Sequence, residues 1–170
     1  MSSPNATPPI KLLFVCLGNI CRSPAAENLM NHLIEAQGLS DRITCDSAGT
    51  SGYHIGDPPD RRMTLAARQR GIPMQGAARQ FQRSDFEHFD WILAMDEDNY
   101  DDILRLDPQG QYRHKVRLMC DFCTHSKARS VPDPYYGGPE GFNKVLDLLA
   151  DACEGLLTHL QTSPEPLPRA

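Results

Sequence analysis

Four consecutive large apolar residues, Leu12-Leu13-Phe14-Val15, form a run that reads as a buried strand and sets the terms for the rest of the chain. Directly after it come Cys16-Leu17-Gly18-Asn19-Ile20-Cys21-Arg22-Ser23-Pro24. Ser23 is predicted as a helix N-cap and Pro24 as the first helical position. Ala26, Leu29, Met30, Leu33 and Ile34 then recur at helical spacing until Gly38 ends the segment. A strand thus delivers Cys16 to a helix N-terminus, where unpaired N–H groups and the positive end of the helix dipole favour anions.

The same strand-then-helix rhythm continues. Ile43 to Asp46 is expected as a second strand, leaving into the turn-rich Ser47-Ala48-Gly49-Thr50-Ser51-Gly52-Tyr53. Pro59 and Asp60 open a helix running to about Arg70. Ser84-Asp85-Phe86-Glu87 has capping-box spacing and predicts one helical turn. Asp90 to Ala94 is expected as the third strand, Asp96 as the cap of a helix carrying Tyr100, Ile103 and Leu104, and Val116 to Met119 as the fourth strand. A final helix keeps Phe142, Val145, Leu146, Leu149, Cys153, Leu156, Leu157 and Leu160 on one face. The expected fold is α/β, a small single-domain sandwich with a mostly parallel, about four-stranded central sheet flanked by helices on both faces. One domain is expected over residues 10–162, with flexible termini at 1–9 and 163–170, both rich in proline.

At 170 residues, such a domain buries about 70% of its unfolded surface and needs no covalent staples. Seventeen basic and 22 acidic residues give a net charge of −5, and no cluster of Lys and Arg suggests nucleic acid or an anionic membrane as a partner. The sequence shows neither a signal-peptide pattern nor an apolar run near the roughly 20 residues of a membrane span, so a cytoplasmic protein is expected, monomeric or weakly dimeric. Six cysteines in that setting point to reduced thiols rather than a disulfide framework, with Cys45 and Cys153 as core fillers.

The first loop carries the chemistry. A cysteine and an arginine with five residues between them stand at the two ends of a short segment; if it curls, its N–H groups converge into an anion nest. Such a nest would hold phosphate oxygens while the planar fork of Arg22 binds two of them side by side. Gly18 permits close backbone approach, and Asn19 tolerates positive φ. The same donors would stabilise Cys16 as a thiolate. A bare cysteine-to-arginine spacing is weak, but here it carries Gly, Asn, a second cysteine and Ser-Pro within a strand-to-helix context.

With that context, Val15 through Pro24 and the following Ala25-Ala26-Glu27 resemble the signature of the low-molecular-weight protein tyrosine phosphatases. The similarity runs from about Lys11 to about Leu160 and includes Ser47-Ala48-Gly49, Ala78-Arg79-Gln80, Ala94-Met95-Asp96 and Asp133-Pro134-Tyr135-Tyr136. It implies that Cys16 attacks phosphorus, that Arg22 and the amides of Leu17, Gly18, Asn19, Ile20 and Cys21 stabilise the phosphoryl charge, and that Asp133 protonates the leaving oxygen. It further implies that Leu17, Tyr53, Tyr135 and Tyr136 wall a slot for an aromatic phosphoester, that Ser23 supports the sulfur, and that Ser47 braces Asn19. Phosphotyrosine-containing proteins are the implied substrates, and neither cofactor nor metal is required. Many relatives have a histidine where this chain has Gly76, which bears on the bracing of Asn19.

Two further readings stay open at this stage. Cys120-Asp121-Phe122-Cys123-Thr124-His125 offers too few ligands for a structural zinc site, but extra thiols are a feature of thiol-dependent arsenate reductases, which share the fold and resemble this loop. A non-catalytic phosphotyrosine-binding module would use the loop as an anion receptor and would need neither the thiol nor Asp133. Cys21, inside the loop, is placed to trap an oxidised Cys16 as a disulfide. The six histidines show no metal or catalytic spacing and are expected on the surface or in packing.

Overall fold

A computed structural model describes residues 8–135 and 137–162. The expectations for the extreme termini and for Tyr136 lie outside these residues.

Four strands, β1 (Ile10–Cys16), β2 (Ile43–Gly49), β3 (Trp91–Ala94) and β4 (Val116–Leu118), form one sheet in the order β2-β1-β3-β4. Every pairing between them is parallel, with Leu12 opposite both Cys45 and Trp91, and Ala94 opposite Leu118. The helices are α1 (Arg22–Ala36), α2 (Arg61–Arg68), α3 (Asp85–His88), α4 (Glu97–Arg105) and α5 (Pro139–Thr162), with short 3-10 turns at Arg113–Lys115 and Met119–Phe122. The sequence therefore specifies the α/β class, the strand count and the helical cover, and the sheet is parallel throughout.

The apolar run behaves as a central strand must, since Leu12 through Val15 are inaccessible to solvent. Leu12, Phe14, Trp91 and Leu93 face a core shared with Met30 of α1, Met63 of α2 and Leu146, Leu149 and Leu156 of α5. Leu13, Val15, Ile92 and Ala94 face a smaller core with Phe86 of α3 and Ile103 of α4. Alternate residues of one strand thus feed two layers, each covered by helices. Cys153 sits fully buried in the larger core, and Cys45 packs half-buried against it.

Four local expectations are corrected. Ser23 is not the N-cap of α1: the cap is Cys21, without a side-chain cap bond, and Ser23 lies inside the first turn. β2 runs through Ser47-Ala48-Gly49 instead of ending at Asp46, because β1 pairs with it all the way from Ile10 to Cys16. The helical turn after Ser84 forms without a Ser84 side-chain cap; instead Asp85 accepts the Gln82 N–H and an Arg79 ion pair. Met119 begins the 3-10 turn rather than extending β4. That turn lies hard against α5: a Cβ on Gly155 would fall on the carbonyl oxygen of Phe122, so only glycine allows this approach.

Candidate active site

The loop between β1 and α1 leaves the sheet at the C-terminal end of β1, where the strand order switches between β1 and β3. Ligands of open α/β sheets collect at such points. Gly49 of β2 lies beneath the loop, where a Cβ would meet the Leu17 carbonyl oxygen at 2.7 Å and the Asn19 nitrogen at 3.1 Å. Sheet and loop therefore meet backbone to backbone, secured by the Thr50 N–H to the Cys16 carbonyl and the Ser51 N–H to the Leu17 carbonyl, both 2.9 Å.

The loop curls as its composition predicts. Asn19 takes φ 58°, the only positive φ outside glycine among the described residues, and its N–H points to Cys16 Sγ at 3.3 Å. Ser23 Oγ stands 3.0 Å from the same sulfur. Asn19 is held from three sides: its Nδ2 donates to Ser23 Oγ at 2.8 Å and to Ser47 Oγ at 2.9 Å, and its Oδ1 accepts the Arg79 N–H at 3.0 Å. Ser47 in turn donates to Glu27 at 2.6 Å. Burial pushes the Glu27 carboxyl above its ordinary pKa, the Ser47 bond working in the opposite direction. Ser47 thus stands beside Asn19 as the sequence resemblance implied. The third position of the brace is filled by the Arg79 main-chain N–H, and Gly76 brings no side chain to it.

Arg22 is buried to 3% exposure at the start of α1. Its Nη1 donates to Asp96 Oδ2 at 2.6 Å and to the Val131 carbonyl at 3.0 Å, and its Nη2 lies 3.7 Å from Asp133 Oδ2. Burial works against this charge, but Cys16 and the Asp96 carboxylate outweigh it and hold the guanidinium pKa above its ordinary value. Val131 is fixed by its own N–H to Met95 at 2.8 Å. The segment bearing Asp133 is therefore tied to the end of β3 and to Arg22 together. Asp133 Oδ1 accepts the Tyr135 N–H at 3.0 Å, and its side chain is 42% exposed.

These groups enclose a cavity of about 390 Å³ lined by Cys16, Leu17, Gly18, Ile20, Cys21, Arg22, Ser51, Tyr53, His54, Asp133 and Tyr135. Residues from opposite ends of the sequence meet there as expected. Tyr53, 91% exposed, stands at the rim, whereas Asn19, Ser23 and Ser47 are buried behind the cavity lining. Burial, reinforced by the nearby Asp60 carboxylate, pushes the Cys21 thiol up to about 12. Cys120 and Cys123 are absent from the lining.

Sequence reasoning missed several participants. Asp96 has a role beyond the helix cap that its position predicts. It does cap α4, accepting the Asn99 N–H at 2.7 Å, while its second oxygen holds Arg22. His54, expected on the surface or in packing, lines the cavity with Nδ1 3.2 Å from Asp57. The Val131 carbonyl and Arg79 N–H could not have been found from residue type, since any residue supplies them.

A cysteine at the head of a curled N–H-rich loop, with a buried arginine behind it and a carboxyl across the cavity, defines an enzyme class that handles phosphate esters on a doubly wound α/β scaffold. Residues 11–165 match the low molecular weight phosphotyrosine protein phosphatase family, and the chain belongs to it. It is 63% identical over 151 residues to a Synechocystis sp. protein assigned to the low molecular weight protein-tyrosine-phosphatases, covering 89% of this chain and 96% of that one. It is 42% identical over 147 residues to the human low molecular weight phosphotyrosine protein phosphatase, covering 86% and 92%. Among solved structures, a protein tyrosine phosphatase from Entamoeba histolytica superposes with a TM-score of 0.88 at 50% identity, covering 91% of this chain and 99% of that one.

Proposed function

We propose that this enzyme hydrolyses phosphotyrosine in proteins, and small aryl phosphates, through a phosphocysteine intermediate. The observation that carries the reading is the convergence of Cys16, Arg22 and Asp133 on one cavity. With Arg22 Nη1 committed to Asp96 and Val131, its Nη2 and Nε edge is left to grip two phosphate oxygens, replacing the 3.7 Å approach to Asp133.

In the first step Cys16 Sγ forms a bond to phosphorus while the bond from phosphorus to the phenolic oxygen breaks. Asp133 passes a proton to that oxygen, which is needed because tyrosine's ordinary pKa near 10 makes phenolate a poor leaving group. In the second step water attacks phosphorus, the sulfur–phosphorus bond breaks, and Asp133 takes the proton from the water. The loop N–H groups and Arg22 stabilise the equatorial oxygens in both steps. None of these transfers is routed through a metal. Leu17, Tyr135 and the rim residue Tyr53 supply apolar surface suited to a ring one phosphate deep.

The same reading includes a redox safeguard and a reducing, cytoplasmic setting, in keeping with six unpaired thiols. A hydroperoxide converts the Cys16 sulfur to sulfenic acid. The neutral Cys21 thiol condenses with it to a disulfide, releasing water. After peroxide treatment, peptide mass mapping is expected to show a Cys16–Cys21 disulfide; finding only sulfinic or sulfonic Cys16 counts against it.

Hydrolysis of p-nitrophenyl phosphate by the wild type, Cys16→Ser and Asp133→Ala tests the main proposal. Cys16→Ser should be inactive and Asp133→Ala slowed, more so on esters with poorer leaving groups. Full activity in Cys16→Ser would end the proposal. Arsenate reduction supplied with thioredoxin, measured alongside, separates the thiol-relay alternative, and a binding module would show no turnover at all.

A further inference from the structure

Arg62, in the first turn of α2, lies outside the cavity lining, yet it links both halves of the site. Asp60 is the starting point. Its N–H donates to the Ile20 carbonyl at 2.8 Å, which joins it to the loop carrying Cys16. Its Oδ1 accepts the Arg62 and Met63 N–H groups at 2.8 and 3.2 Å, capping α2, and also the Arg62 Nε at 3.3 Å; its Oδ2 accepts Arg62 Nη2 at 3.0 Å. The guanidinium is thereby held in one plane by a two-point grip. In that plane its Cζ lies 5.3 Å from the ring centre of Tyr135 and 4.8 Å from that of Phe142, the buried aromatic in the first turns of α5. Cation–π attraction operates at both distances.

The line of contact continues into the chemistry. Tyr135 lines the cavity, and its N–H is bonded to Asp133 Oδ1. We propose that Arg62 is a positioning residue for this site, docking the Tyr135 ring as a wall of the slot and, through it, setting the Asp133 carboxyl against the leaving oxygen. The inference rests on the proposed phosphatase mechanism, and it adds a specificity role for a residue outside the cavity lining. Substrates that gain most from Arg62 are aryl phosphates with poor leaving groups, of which phosphotyrosine is one.

The experiment measures kcat and KM for p-nitrophenyl phosphate and for phenyl phosphate, whose leaving group is far poorer. It compares wild type, Arg62→Met and Arg62→Lys, each with Tyr135 intact and with Tyr135→Ala. Arg62→Met is expected to raise KM for p-nitrophenyl phosphate about threefold with kcat within twofold, and to lower kcat/KM for phenyl phosphate about tenfold. Arg62→Lys should recover part of each loss, because an ammonium keeps the charge over the rings but loses the two-point grip. In the Tyr135→Ala background, Arg62→Met should change neither ester by more than twofold. Equal losses on both esters, no recovery with lysine, or an undiminished loss without the Tyr135 ring would each overturn the inference while leaving the mechanism standing. An inactive wild type, or an active Cys16→Ser, would instead overturn the mechanism on which it rests.

Discussion

At the scale of single residues, Asn19 shows how much of this site is scaffolding. Its side chain fills three bonds at once, and its backbone sits at φ 58°, a conformation few residues other than glycine and asparagine adopt readily. Replacing it with alanine strands the Arg79 N–H and keeps the unfavourable φ, so Asn19→Ala should cost about 2 kcal/mol of stability. With the loop free to shift by a fraction of an ångström, kcat/KM should fall about a hundredfold. Thermal melts and steady-state kinetics on the same preparation check both numbers. The sequence made Asn19 legible because positive φ narrows the choice of residue. It left Ser23 mislabelled because a hydroxyl next to a proline signals a cap, whereas here Cys16 and Asn19 compete for that hydroxyl and the helix starts two residues earlier.

At the scale of elements, the approach to Asp133 depends on how the segment after the Met119–Phe122 turn is anchored to α5. Asp151, on α5, accepts the N–H groups of Thr124, His125 and Ser126 at 2.9, 3.1 and 2.8 Å. Burial opposes its ionisation, but these N–H bonds win and hold it at about 2, below its ordinary 3.8. A carboxylate lowered in this way contributes stability that is complete above about pH 4 and disappears as pH falls toward 2. Asp151→Asn should therefore melt below the wild type at pH 6, and the gap should close by pH 2; a gap independent of pH would count against the anchor. Sequence periodicity defined α5 itself, since its apolar face repeats for many turns. The anchor was invisible because its donors are main-chain groups in a loop with no periodicity.

At the scale of the whole molecule, a parallel sheet with both faces covered places the loops of β1 and β3 side by side, so the anion site belongs to the folded state alone. A ligand that binds only the folded chain stabilises it by mass action, about 2.7 kcal/mol at a hundred times its dissociation constant. Inorganic phosphate at that excess should raise the melting temperature of the wild type by roughly 5–10 °C, and Arg22→Ala should lose most of the rise. Differential scanning calorimetry at fixed ionic strength measures it. The class of fold was readable from the alternation of strands and helices and from the unbroken apolar run of β1. The joining of Asp96 and Val131 to Arg22 was not, because it exists only once β1, β3 and the segment before α5 stand together.

That joining also gives the molecule a chronology. The nucleophile loop is encoded near the beginning of the chain, and the segment carrying Asp133 is held in place by contacts to Arg22, Met95 and α5, the last helix. A chain emerging from the ribosome presents Cys16 and Arg22 well before Asp96 and Val131, which hold Arg22, and before Asp133, the proposed proton donor. Contacts between such distant segments carry the larger loop-closure entropy. Turnover therefore reports contacts between the most distant segments of the chain, and a half-built chain lacks both the braced anion site and the proton donor.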